Sequence, residues 1–313
     1  MDKIIRIGTR ESQLAVWQAT LVQQQLSQHG FVSELVYIKS DGDIDLVTPL
    51  YEIGVQGVFT KTLDAALLSN RIDIAVHSMK DVPTQLAKGI AQAAVLPRAS
   101  YKDILVYKGE LSAINYQLSV GTNSEGMGFT IATSSIRRRA QWLNRYPHHH
   151  IDNLRGNVNT RLRKVEESNW NGAIFAAAGL ERIGLRPANT IELDWMLPAP
   201  AQGAIMIVCN ERDAFSKEAC ALLNDTATAL CAKIERDFLR TLLGGCSTPI
   251  SALAQVKDNT VYFKGNIYSI DGREKAEIEK QISTDNVNAG TDAALEVLEN
   301  GGRAIVETIR NAK

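Results

Sequence analysis

A chain of 313 residues is long enough for two or three domains, and its 45% hydrophobic and 22% charged content is that of an ordinary globular protein. No apolar run approaches the roughly 18 residues of a membrane span, and the opening MDKIIRIGTR lacks the apolar centre of a secretion leader, so a cytoplasmic protein is expected. The net charge of −1 conceals an uneven distribution: residues 137–186 hold nine arginines and one lysine against four acids, so the remainder is acidic.

The elements begin with KIIRI as a strand. Ser12 is positioned to cap a helix whose apolar face is Leu14, Trp17, Leu21 and Val22 and which ends near Gly30. FVSELVYI is the next strand. Residues 60–69 form a helix with Leu63 and Leu67 one turn apart, and RIDIAVHS is a buried strand running into MKDVP. This βαβ rhythm predicts a mostly parallel sheet whose ligands sit at the C-terminal strand ends, where His77, Ser78, Lys80 and Asp81 fall. The chain crosses to a second α/β unit at 98–103. There DILVYKG is a strand, TSSIRRRAQWL opens a helix, NVNTRLRKVEES is a helix with Val158, Leu162 and Val165 inward, and GAIFAAAGL is a strand ending in a turn. LPAPAQGAIMIVCN crosses back, stiffened by Pro198 and Pro200, and its strand 204–209 rejoins the first sheet. Two crossings between two lobes predict a cleft that opens and closes. The last third differs: a helix with Leu230, Ile234, Phe238 and Leu242 stops at Gly244-Gly245. Strands separated by Lys257-Asp258-Asn259 and by the hairpin signal Asp271-Gly272 follow, then a helix at about 289–299. The boundaries are 1–98 with 199–218 for the first lobe, 103–194 for the second and 222–313 for a C-terminal α+β domain. No internal repeat stands out.

Several groups could do chemistry. Thr133, Ser134 and Ser135 open a helix with Arg137 and Arg138 in its first turns. The hydroxyls alone read as a plain cap, whereas arginine at a helix N-terminus asks for a carboxylate or phosphate. Arg155 with Arg161, and Arg182 past a strand end, repeat the pattern. Asp81 beside Lys80 is either a turn-capping carboxylate or a group that steadies a developing cation. His148, His149 and His150 are consecutive and cannot face one metal ion from a regular element, so no metal is expected. The four cysteines are 11, 11 and 15 residues apart, which fits neither zinc ligation nor redox pairs. Three lie in apolar or helical patterns. Cys246 in LLGGCSTPI either packs as a small residue at a helix end or presents a thiol to a ligand that approaches the glycines.

In order, IGTRESQLAVWQ, DIAVHSMKDVP, ATSSIRRRAQ, LRGNVNTRL, AAAGLERIGL, LPAPAQGAI and IERDFLRTLLGGCSTPI resemble the porphobilinogen deaminase (hydroxymethylbilane synthase) family over nearly the whole chain. The resemblance implies an α/β fold of two periplasmic-binding-protein-like lobes plus a C-terminal α+β domain with a small antiparallel sheet. It implies a transferase of tetrapyrrole (heme) biosynthesis that condenses four porphobilinogen molecules head to tail into hydroxymethylbilane and releases ammonia. It implies a dipyrromethane primer bonded to Cys246 through a thioether and Asp81 as the catalytic carboxylate. Arg10, Ser12, Ser78, Lys80, Thr133, Ser134, Ser135, Arg137, Arg138, Arg155, Arg161 and Arg182 would form the site for the acetate and propionate arms. A monomer without nucleic-acid or membrane partners is the family expectation. Two departures stand out. GVQGVF places Gln56 where the family usually has lysine, and SVGTNSEGMGFTIATSS is longer than usual. A two-lobed binding protein for an organic anion would explain the lobes and arginines but leave Cys246 and Asp81 idle. A nucleic-acid binder would want aromatic residues interleaved with the arginines, and only Trp142 and Trp170 are near.

Overall fold

A computed structural model describes residues 3–39, 60–120, 129–242 and 248–311. Gln56, Cys246 and most of the long stretch before Thr133 lie outside them.

The first lobe runs β1 (Ile5–Thr9), α1 (Gln13–Gln28), β2 (Ser33–Tyr37), α2 (Lys61–Leu68), β3 (Ile74–Ser78), a single 3₁₀ turn over Met79–Asp81, and β4 (Ile90–Val95). The second runs β5 (Asp103–Tyr107), α3 (Leu111–Val120), β6 (Thr130–Ala132), α4 (Ile136–Arg145), β7 (His150–Asp152), α5 (Val158–Glu167), β8 (Gly172–Ala176), α6 (Ala177–Glu181) and β9 (Thr190–Glu192). The chain then returns through β10 (Ile205–Asn210) and α7 (Ala214–Ala221). It ends in α8 (Thr226–Leu242), β11 (Ile250–Lys257), β12 (Thr260–Tyr268), β13 (Lys275–Ser283), α9 (Ala289–Val297) and α10 (Arg303–Asn311).

The two large sheets have the same plan. The first is ordered β2-β1-β3-β10-β4 and the second β7-β6-β8-β5-β9. In each, the fourth strand runs antiparallel to both neighbours and the other strands are parallel to one another. That odd strand is the crossing strand: β10 arrives from the second lobe, and β5 arrives from the first. The expected mostly parallel sheet is therefore present, with one reversed strand inserted where the chain changes lobe. The reversed strands are apolar throughout their centres because both faces are covered, as β10 shows by burying Ile205 through Cys209.

The predicted face of α1 holds at Trp17, Leu21 and Val22, which pack on the first lobe's core, and fails at Leu14. The buried stripe of α1 is Gln18, Ala19, Val22 and Leu26, while Leu14, Trp17 and Leu21 are only half-buried. The N-terminal turn of α1 projects into the cleft between the lobes, so Leu14 lines that cleft and Trp17 lies under the Arg182 guanidinium, 5.8 Å from ring centre to carbon. Ser12 is the N-cap residue, but its hydroxyl makes no capping bond.

The C-terminal domain packs α8 and α9 against the antiparallel sheet β11-β12-β13, with Ile234, Phe238, Leu242, Phe263 and Val297 at its core. Asp258 and Asn259 make the tight two-residue turn between β11 and β12, both with positive φ. The Asp271-Gly272 corner is a longer loop, because β12 and β13 last pair at Tyr268 and Lys275. Gly272 is needed there for close approach: a Cβ would come within 2.4 Å of the Ala140 carbonyl oxygen on α4. Asn144 Nδ2 donates to Gly272 O at 2.7 Å and Gln141 Nε2 to Ser251 Oγ at 2.9 Å, which fastens this domain to the second lobe.

Candidate functional site

The loops that follow corresponding strands of the two lobes open onto one cleft of about 220 Å³. The first lobe contributes Arg10 and Ser12 after β1, Ser78 at the end of β3, and Lys80 and Asp81 after it. The second contributes Arg138 from α4, Arg155 after β7, Arg161 from α5 and Arg182 after α6. Among the described lining residues, Asp81 is the one carboxylate facing these cations. Helix ends add to the positive field, because α1 starts at Ser12 and α5 at Asn157, whose Oδ1 accepts from Thr160 N at 3.0 Å. The lobes touch at this rim, where Asn159 Nδ2 donates to Gln13 Oε1 at 3.0 Å.

Burial shapes the charges. Desolvation pushes the Lys80 ammonium down to about 8, helped by Arg138 and Arg137 and opposed by Asp81 and Asp103. Burial likewise lowers Arg161 and Arg182 to about 10, which leaves both charged at neutral pH. Arg182 donates to Gly203 O at 2.6 Å, across from its own lobe to the return crossing. The Arg161 Nε is buried with no hydrogen-bond partner among the described residues. Such an N–H calls for an acceptor, and a carboxylate placed in the cleft would supply one.

Beneath the cleft lies Asp103, with no solvent exposure. Arg137 Nη2 lies 2.7 Å from its Oδ2, and Arg138 Nη2 and Nε donate to Oδ1 at 2.7 and 3.1 Å. Burial alone would raise this carboxyl, but the two guanidiniums overcome it and hold it down to about 2. Gln202 Nε2 also donates to Asp103 Oδ1, at 2.9 Å, and to Tyr101 O at 2.8 Å. That fixes the amide so that its Oε1 accepts from Lys80 Nζ at 3.5 Å. On the other side, Gln18 Nε2 donates to Ser78 Oγ at 2.9 Å.

With this geometry in place, the similarity to known proteins is informative. Residues 5–218 match the family model described as porphobilinogen deaminase, dipyromethane cofactor binding domain, and residues 229–299 match porphobilinogen deaminase, C-terminal domain. The chain belongs to the porphobilinogen deaminase family. A porphobilinogen deaminase of Acidithiobacillus ferrooxidans is 38% identical over 316 residues, covering 100% of both chains. Those of Chloroherpeton thalassium and Syntrophotalea carbinolica are 39% and 44% identical over 94% and 86% of this chain and 91% and 84% of theirs. Among solved structures, the ligand binding component of an ABC-type import system from Staphylococcus aureus is similar at 15% identity and a TM-score of 0.41, covering 77% of this chain and 75% of that one.

Within this family member, the predicted site residues separate into two groups. Arg10, Ser12, Ser78, Lys80, Asp81, Arg138, Arg155, Arg161 and Arg182 line the cleft. Thr133, Ser134, Ser135 and Arg137 do not. Ser135 Oγ accepts from Arg138 N at 3.4 Å and Thr133 Oγ1 from Ser135 N at 3.2 Å, while Ser134 Oγ donates to Leu154 O. These hydroxyls hold the start of α4, and Arg137 is committed to Asp103 and to Leu197 O, 2.8 Å away. Of the remaining arginines in the basic segment, Arg163 and Arg186 pair with nearby glutamates on the surface, and Arg145 lies over Trp195. Gln18, Asp103 and Gln202 were missed from the sequence. The one available signal was a glutamine inside LPAPAQGAI, a segment that otherwise reads as a stiff link.

No helix among the described residues is long and apolar enough to cross a membrane, and no group of metal-ligating side chains occurs among them.

Proposed function

We propose that this chain is a porphobilinogen deaminase that joins four porphobilinogen molecules head to tail into hydroxymethylbilane, releasing ammonia at each addition. The observation that carries this reading is Asp81, the one carboxylate among the described residues of a cleft whose other described lining is cationic or neutral. Each pyrrole brings two carboxylates, and a growing chain accumulates them. Arg10, Lys80, Arg138, Arg155, Arg161 and Arg182 offset that charge and fix the rings by forked hydrogen bonds. The unsatisfied Arg161 Nε supports a carboxylate-bearing occupant, so the residues present fit a dipyrromethane.

Cys246 is the attachment point. The other three cysteines are poor candidates: all are buried, and desolvation pushes the thiols of Cys220 and Cys231 up to about 12 and 11 and raises Cys209 as well. When bound, the dipyrromethane supplies the pyrrole carbon to which the first substrate is joined. Asp81 handles the proton at the substrate's leaving amine and balances the positive azafulvene that remains after ammonia departs. Lys80 orients a carboxylate arm, and its neighbour Gln202 keeps the ammonium directed toward the cleft.

Intact mass, Ehrlich's reagent and turnover of porphobilinogen test this together. The expected result is a pyrrole colour, a mass excess equal to dipyrromethane and production of hydroxymethylbilane. Cys246→Ser should lose the usual thioether adduct. Asp81→Ala should keep the adduct yet lose about 10²–10⁴-fold in turnover, the usual contribution of a positioned acid or base. A colourless, unmodified and inactive wild-type protein would instead identify an anion-binding protein. A normal adduct in Cys246→Ser would move the attachment elsewhere.

A further inference from the structure

Among the α8 side chains that meet the first lobe, the buried Arg236 reaches the turn that carries Lys80 and Asp81. Arg236 Nη1 donates to Val82 O at 2.9 Å and to Met79 O at 3.3 Å, and Nη2 donates to Pro83 O at 2.5 Å. These carbonyls bracket Lys80 and Asp81. The turn between them is short: three residues of 3₁₀ helix closed by Val82 N donating to Met79 O at 3.1 Å. Pro83 has no N–H to add another bond. A turn with so few internal restraints takes its shape from what holds it outside. A guanidinium fork suits that task because it engages several carbonyls in one plane, whereas an ammonium does not.

The helix that supplies the fork is itself fixed. The preceding residue, Glu235, is fully buried and bonded to both lobe crossings and to β11. Three residues separate the last residue of α8, Leu242, from Cys246. The same helix therefore touches the Asp81 turn at one point and leads into the proposed tether at its end.

We infer that Arg236 is a positioning residue: it sets the backbone of 79–83 so that Lys80 and Asp81 face the cleft, and it keeps that turn in register with the domain carrying Cys246. This rests on the deaminase reading, and a displacement of the reacting carboxylate by about 1 Å is enough to cost ~100-fold in rate.

The test uses the dipyrromethane-loaded enzyme with Arg236→Lys and Arg236→Met. Both variants should lose about tenfold or more in kcat while KM stays within about threefold, the pattern of a misplaced group in the transition state rather than lost ground-state binding. Intact mass should still show the primer. Amide hydrogen exchange should quicken across 77–84 and stay at wild-type rates in β11, β12 and β13. Lysine should not rescue, because charge is not what the turn needs. Turnover within about twofold of wild type in a folded variant would overturn the inference, since the fork would then have no positioning effect. So would faster exchange spread evenly over the whole C-terminal domain, or a lysine variant that fails to fold, because each makes Arg236 a general packing element. Failure of the deaminase reading would show separately, as a wild-type protein inactive toward porphobilinogen, while exchange across 77–84 would still report on the fork.

Discussion

Asp103 is the residue on which the second lobe's charges converge. It accepts from Arg138 and Gln202 and is ion-paired with Arg137, with no exposure to solvent. Removing its charge would leave two guanidiniums buried against each other, and breaking a buried pair in this way typically costs about 3–5 kcal/mol. Asp103→Asn should lose that much in urea unfolding at neutral pH. The pH dependence has a definite sign. The folded carboxyl is held at about 2, below its ordinary value of 3.8, so its stabilisation is complete above about pH 4 and disappears as pH falls toward 2. Wild type should therefore lose stability across that window, and Asp103→Asn should lose less there; parallel curves would remove Asp103 as the acid-sensitive group. None of this was visible in YKDILVY, where the aspartate reads as a strand boundary. Composition exposed the excess of arginines, but not that Arg137 would be turned toward a carboxylate 34 positions earlier. Arg10, Lys80 and Arg161 were easier to place, because each falls in a loop after a recognisable strand or in the first turns of a recognisable helix.

At the level of elements, legibility followed length and burial. Apolar runs such as Ile74–Val76 and Ile104–Val106 mark strands without ambiguity because both sheet faces are covered. The three-residue strands β6, β7 and β9 carry too little pattern to register. The α1 face was read correctly at Trp17, Leu21 and Val22, which pack on the first lobe's core, but not at Leu14, which lines the cleft. The return crossing LPAPAQGA was read as a link, yet its backbone is closely fitted. Gly203 has φ +89°, and a Cβ there would stand 2.7 Å from the carbonyl oxygens of Ala99 and Ser100 in the outgoing crossing. Gly184 also has a positive φ, +66°, but nothing within 4 Å of a Cβ. Gly184→Ala should cost about 1 kcal/mol from backbone strain alone. Gly203→Ala should cost that and more, up to about 3 kcal/mol, because the two crossings must part or distort. Paired urea titrations check the difference, and equal losses would show that the crossings are not in tight contact.

The whole molecule is two copies of one sheet plan exchanging a strand, with a third domain closing the junction. The repeat left no trace in the sequence because what recurs is strand order and crossing direction, both satisfied by many different apolar residues. The junction is concentrated on Glu235. Its carboxylate accepts from Arg98 at 2.6 and 3.1 Å in the outgoing crossing, from Ala201 N at 2.6 Å in the return crossing, and from Ala254 N at 2.7 Å in β11. One side chain thus ties both crossings to the C-terminal domain, while Gln141 and Asn144 hold the C-terminal sheet to α4 of the second lobe. A single cooperative unfolding transition is the expected consequence, since the C-terminal domain cannot part from the crossings without exposing this carboxylate, nor from the second lobe without breaking the Gln141 and Asn144 bonds. Glu235→Gln keeps the shape but leaves Arg98, 12% exposed, without its counter-charge, at a cost of about 3–5 kcal/mol. Because that loss falls on the junction rather than within any core, calorimetry should show the single endotherm splitting in two as the C-terminal domain parts from the lobes. One endotherm, shifted but undivided, would mean that the hydrophobic contacts of α8 couple the bodies without Glu235.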